Sequence, residues 1–136
     1  MYFLADDGDH GYELWTSDGT GPETHRVQDI NPGPGDSTDC SPTANPGCAA
    51  LPPLMPAGGV AFFAANDGVH GMELWRSDGI APVQDSRLGP EGSNPKDLAN
   101  LGGTLVYSAD DGVHGRELWT SDGTDAGTAM LVDLVP

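Results

Sequence analysis

Basic residues are scarce in this chain. Lys and Arg together number 5 in 136 residues, against 21 Asp and Glu, for a formal net charge of −16, and Lys96 is the single lysine. Nucleic-acid affinity comes mainly from clustered Lys and Arg, so this balance excludes binding to a phosphate backbone as a default. It argues equally against an anionic membrane surface. Long apolar runs are absent too: nothing approaches the ~20 residues that a membrane-spanning helix needs. The opening Met1-Tyr2-Phe3-Leu4-Ala5-Asp6 has neither a basic segment nor an extended apolar stretch, so no signal peptide is visible. Cysteine occurs twice, at Cys40 and Cys48. Gly (20) and Pro (12) are abundant instead, and their spacing leaves no room for long helices.

The dominant feature is a repeat. Residues 5–20, 65–80 and 109–124 read ADDGDHGYELWTSDGT, ANDGVHGMELWRSDGI and ADDGVHGRELWTSDGT. The tryptophans Trp15, Trp75 and Trp119 are separated by 60 and then 44 residues. Shared Asp, Ser and Gly-Gly landmarks resolve these unequal gaps into a parent unit of 48 residues, with 12 residues inserted in the first copy and 4 deleted from the second. A unit of this size, with one Trp and many glycine turns, suits a four-stranded propeller blade of ~40–50 residues.

The strands follow from the turn signals. Residues 97–101 and 104–109 flank Gly102-Gly103, a two-residue hairpin signal. Residues 104–109 and 116–121 flank Asp-Gly-Val-His-Gly, and Ser121-Asp122-Gly123-Thr124 then turns into a fourth strand at 129–134. An alternative is a short helix capped at Asn94-Pro95-Lys96-Asp97 and ending at Gly102. The expected fold class is therefore all-β, built of propeller-type blades of four antiparallel strands. There are about three blades, the first incomplete. The expected division is blade one at 1–37, an insertion at 38–49, blade two at 50–93 and blade three at 94–136. The expectation is three, four and four strands in turn. Propellers close with 4–8 blades, so three belong to a larger or oligomeric ring. Open sheet edges at each end are templates for self-association.

The shared motif, Asp/Asn-Asp-Gly-x-His-Gly-x-Glu-Leu-Trp-x-Ser-Asp-Gly-Thr/Ile, resembles the ELWxxDGT repeat family. The resemblance covers most of the chain. It implies a repeat of large secreted or surface bacterial proteins with propeller-like β structure and no established catalytic activity or ligand. Ile80 departs from the pattern where the other copies have Thr, and the segment after it is short. The Ser-Asp-Gly turns also resemble the Asp-box turns of other propellers, whose role is structural.

Each repeated residue type has a structural and a functional reading. Trp15, Trp75 and Trp119 alternate with Leu14, Leu74 and Leu118, so the two sets face opposite sides of the third strand. An inter-blade core is the expectation, and a sugar-stacking platform the alternative. Glu13, Glu73 and Glu117 share the Trp face, where a half-buried carboxylate needs donors or a cation. The expectation is that each staples its hairpin, drawing on the preceding turn and on His10, His70 or His114. The alternative is calcium held by these glutamates with Asp6, Asp7, Asn66, Asp67, Asp110 and Asp111. Three equal His copies, one per unit, do not converge four ligands on zinc. Cys40 and Cys48 fall within the insertion and read as one disulfide, which implies an oxidising compartment, with free thiols or metal ligation as the alternatives.

The expectation is thus a non-catalytic extracellular or cell-surface repeat module, acting as a binding, adhesion or scaffold unit without a cofactor. A calcium-stabilised lectin and a fragment of a hydrolytic propeller enzyme stand as alternatives. A glycan or a protein remains open as ligand. Neither nucleic acid nor membrane insertion is expected. The insertion at 38–49 breaks the repeat and is the place expected to carry recognition, if it is more than a tolerated loop.

Overall fold

A computed structural model describes residues 1–38, 54–78 and 81–134. The fold is all-β and antiparallel. The first sheet holds β1 (Tyr2–Asp6), β2 (Tyr12–Thr16) and β3 (His25–Arg26). The second holds β4 (Met55–Ala57), β5 (Val60–Asn66) and β6 (Met72–Arg76). The third holds β7 (Lys96–Leu101), β8 (Thr104–Asp110), β9 (Arg116–Ser121) and β10 (Ala129–Val132). Neighbours in sequence are neighbours in every sheet. Among the described residues the sheets form no closed barrel or propeller.

Turn chemistry sets the hairpins. Gly58-Gly59 and Gly102-Gly103 all have positive φ, the condition of the two-residue turn whose twist matches the flanking strands. They join Ala57 to Val60 and Leu101 to Thr104 in direct register. At 94–97 the chain does not start a helix. Asn94 and Asp97 take φ of 49° and 55°, left-handed values that break helical geometry, and β7 begins at Lys96.

The register repeats across the sheets. Phe3 opposes Trp15, Phe63 opposes Trp75 and Tyr107 opposes Trp119. Two residues on, Ala5, Ala65 and Ala109 oppose Glu13, Glu73 and Glu117. A methyl opposite each glutamate leaves space for its side chain.

The sheets stack in chain order. Leu14 and Ile30 of the first unit pack with Phe63, Ala65 and Trp75 of the second. Phe62, Leu74 and Val83 of the second pack with Leu105, Tyr107, Ala109 and Trp119 of the third. In both interfaces the Leu face of one unit meets the Trp face of the next. These two clusters are the core.

The second unit departs from expectation. Its fourth strand is reduced to a single bridge between Leu74 and Gln84, with Val83 N–H donating to the Leu74 carbonyl at 2.7 Å. The strand count is therefore three, three and four among the described residues. The reason lies in the turn before it. In the first unit Ser17 and Thr24 hydroxyls pair at 2.7 Å, and Thr24 donates to the Thr20 carbonyl at 2.6 Å. In the third, Ser121 and Thr128 pair at 2.7 Å, and Thr128 donates to the Thr124 carbonyl at 2.7 Å. The shortened second copy has no threonine at either place. Its Ser77 hydroxyl instead accepts from Ala61 N–H at 3.1 Å.

Candidate functional site: the repeated Glu, His and Asp

The turn before each third strand is self-contained. Asp6, Asn66 and Asp110 each accept the N–H two residues ahead, at 2.7, 2.8 and 2.7 Å. Asp7 accepts the N–H groups of Asp9 and His10, both at 3.0 Å. Asp67 does the same for Val69 and His70 at 2.9 and 2.8 Å, and Asp111 for Val113 and His114, both at 2.9 Å. The second oxygen of each aspartate holds the following imidazole at Nδ1, at 2.8, 2.6 and 2.7 Å. Short polar side chains that satisfy their own backbone in this way fix tight turns.

These contacts move the titrations. Asp67 lies below the usual carboxylate range: burial pushes it up, and the N–H and imidazole of His70 override that. Asp111 falls to about 2 by the same balance with His114. The His70 and His114 imidazoles are raised by the hydrogen bond and charge of these aspartates.

The glutamates are buried. Glu13 and Glu73 are 0% exposed and Glu117 is 3% exposed. Their donors are not those of the preceding turn and its histidine. They come from downstream of the hairpin, in the first two units from the segment that crosses to the next sheet. Glu13 accepts Ile30 N–H at 3.1 Å and Asn31 N–H at 3.2 Å. Glu73 accepts Ser93 N–H at 2.7 Å and the Ser93 hydroxyl at 2.6 Å, with longer contacts of 3.4 Å from the N–H groups of Ser86 and Arg87. Glu117 accepts Leu134 N–H at 2.9 Å. Burial raises the Glu13 and Glu73 carboxyls, and the serine hydroxyls and backbone donors pull them back.

Each crossover serine also reaches forward. Ser37 N–H donates to the Tyr12 carbonyl at 3.1 Å, and its own carbonyl accepts Asn66 N–H of β5 at 2.7 Å. The Ser93 carbonyl accepts Asp110 N–H of β8 at 2.9 Å. At the second junction Glu73, Ser93 and the Asp110 end of β8 thus form one chain of bonds, whereas at the first Glu13 holds Ile30 and Asn31 and the Ser37 hydroxyl donates to the Tyr12 carbonyl at 3.0 Å. Sequence reading found the spacing of Ser37 and Ser93 without finding this use, because the serines lie 24 and 20 residues from Glu13 and Glu73.

The crossover also presses on a glycine. A Cβ on Gly11 would lie 2.7 Å from the Gly35 backbone, and one on Gly71 would lie 2.5 Å from the Gly92 nitrogen.

Trp75 and Trp119 are buried in the cores, and Trp15 is half-buried. Trp15 Nε1 donates to the Ala5 carbonyl at 3.1 Å. The buried indoles of Trp75 and Trp119 offer no face to a sugar ring. Among the described residues, no three side chains of Asp, Glu, His or Cys converge as a metal would require. An open groove beside the β4–β5 turn is lined by Tyr2, Pro56, Gly58, Gly59, Val60 and Asn100, and the Tyr2 phenol is its only titratable group. Such a lining supplies no acid–base pair. Cys40 and Cys48, and nearly all of the insertion at 38–49, lie outside the described residues. Among the described residues no helix is long and apolar enough to cross a membrane.

No protein-family model, curated protein or solved structure matches the chain.

Proposed function

We infer that the chain is a non-catalytic repeat module of an extracellular or cell-surface scaffold of the ELWxxDGT kind, its sheets being propeller-type blades. One observation carries this reading. The repeated residues with chemical potential are engaged in holding the frame: glutamate to the crossover, aspartate to its own turn, histidine to that aspartate. Three near-equal copies of a contact are what a frame uses, whereas an active site is normally single. The Leu-face-to-Trp-face stacking of successive units is the arrangement that blades around an axis would have. The insertion at 38–49 is the place where recognition of a glycan or protein is assigned, since it breaks the repeat.

The test is a screen of glycosidase, esterase and peptidase substrates beside thermal unfolding of Glu73→Gln. The expected result is no turnover by either protein and a lower melting temperature for the variant. Turnover that disappears in Glu73→Gln, with an unchanged melting curve, contradicts the reading.

A further inference from the structure

We propose that the two outer faces of the three-sheet stack are complementary and bind a second copy of this chain head to tail, repeating the internal junction between units.

The internal junctions define what such a contact looks like. Each puts the Leu face of one unit on the Trp face of the next, and the same positions contribute twice. On the accepting Trp face these are Phe63, Ala65 and Trp75, then Tyr107, Ala109 and Trp119, all buried. The first unit carries the matching set in Phe3, Ala5 and Trp15, with rings 6.5 Å apart, but these three are only half-buried.

The opposite end shows the counterpart. On the Leu face of the first unit, Leu14 is buried, and Ile30 is 5% exposed beneath the second sheet. The third unit places Leu118 and Leu134 at those positions, and Leu134 is 68% exposed. Leu131 stands where the first two units have Val27 and Val83, and it is 59% exposed. Val83, by contrast, is buried in the core cluster shared with the third sheet. Leu14 and Leu74, buried at the two junctions, correspond to a half-buried Leu118, and Ile30 and Val83, each buried at one junction, correspond to the exposed Leu134 and Leu131.

Continuity with the internal junctions identifies the occupant. A surface shaped as the Leu face has been filled twice in this molecule by a Phe/Tyr–Ala–Trp face, and the chain offers one more of each. The contact is heterologous, so it closes into a ring or continues as an open series. Two copies supply six sheets, within the range of closed propellers. This pairing uses faces, not the strand edges. It rests on the scaffold reading only in treating the sheets as equivalent units. Each copy carries a net charge of −16, so added salt, by screening repulsion, strengthens the association.

Two face variants decide the matter. Leu131→Lys charges the tail face at an exposed position. Ala5→Arg adds bulk to the head face, where the equivalent alanines have no room. Molar mass is measured by sedimentation equilibrium over a wide concentration range, with circular dichroism as a check on folding. The wild-type chain is expected at twice the chain mass or above, each variant at the chain mass, and an equimolar mixture of the two variants at twice the chain mass. The mixture recovers because each variant keeps one sound face. A monomeric wild type, variants that associate like the wild type, or a mixture that stays monomeric overturns the proposal. Those results would leave substrate turnover and the Glu73→Gln melting curve unaffected, so they are distinguishable from failure of the scaffold reading.

Discussion

At the scale of single residues, Gly71 and Gly115 form a natural experiment. Both have positive φ, at 70° and 78°, yet the crossover lies against Gly71 alone: a Cβ there meets the Gly92 and Glu91 backbone and the Pro90 carbonyl, whereas a Cβ on Gly115 meets nothing within 4 Å. Gly115→Ala is expected to cost about 1–2 kcal/mol from its left-handed backbone alone. Gly71→Ala carries that cost plus displacement of the crossover, so its urea midpoint should fall distinctly further. Equal midpoints would show that the crossover does not pack as described. Trp119 gives a second residue-scale outcome. It is buried against the second sheet, so Trp119→Ala should cost about 3–5 kcal/mol in chemical unfolding. A loss near zero would place its ring outside the core.

The His–Asp turn pairs give a pH dependence at the same scale. His70 and His114 titrate above their ordinary value of 6.5, so their contribution is full below 6.5 and is lost as pH rises through the raised folded value. Asp67 and Asp111 titrate below 3.8, so theirs is present above 3.8 and is lost as pH falls through the lowered value, about 2 for Asp111. The pairs therefore help most between those limits. Glu13 and Glu73 act in the opposite sense to the aspartates: raised by burial, they favour the fold below 4.5 and lose that contribution as pH rises through their folded values. Melting temperature should decline as pH rises from 6.5, and the decline should shrink in His70→Asn/His114→Asn. An identical decline in the double variant would remove the imidazoles from the account.

At the scale of elements, the fourth strands separate by their hydroxyl network. Thr128→Val removes the partner of Ser121 and of the Thr124 carbonyl while keeping side-chain shape, and it should loosen β10 and cost about 1–2 kcal/mol. Amide exchange across Ala129–Val132 would report it, and unchanged protection there would contradict the assignment. The same element shows what sequence reading reaches. Turn glycines and the alternation of Leu and Trp are local, so the hairpins around Gly102-Gly103 and Gly112 to Gly115 were legible, as was the all-β class. The departure at Ile80 and the short segment after it mark the turn of the second unit in the sequence, but not that its fourth strand is reduced to a single bridge. The partners of Glu13 and Glu73 were illegible for another reason. A buried carboxylate announces a need for donors but not their address, and here the donors sit across a crossover whose path only the stacked sheets define.

At the scale of the whole molecule, cohesion rests on two junctions of the same design. Apolar faces supply the contact, and a buried glutamate ties down the crossover at each, through Ile30 and Asn31 at the first and through Ser93 at the second. Buried polar groups left without partners are costly, so removing one side of a glutamate contact weakens its junction. The most direct measurement is a double-mutant cycle on Glu73 and Ser93 by urea unfolding. Glu73→Ala should cost about 2–4 kcal/mol, since it strands the Ser93 donors in the interior. Ser93→Ala should cost less, because its backbone N–H still serves the carboxylate, and the pair should couple by about 1–2 kcal/mol. Additive losses, with no coupling between the two positions, would contradict the claim that this chain is a frame held together at its junctions by repeated buried carboxylates.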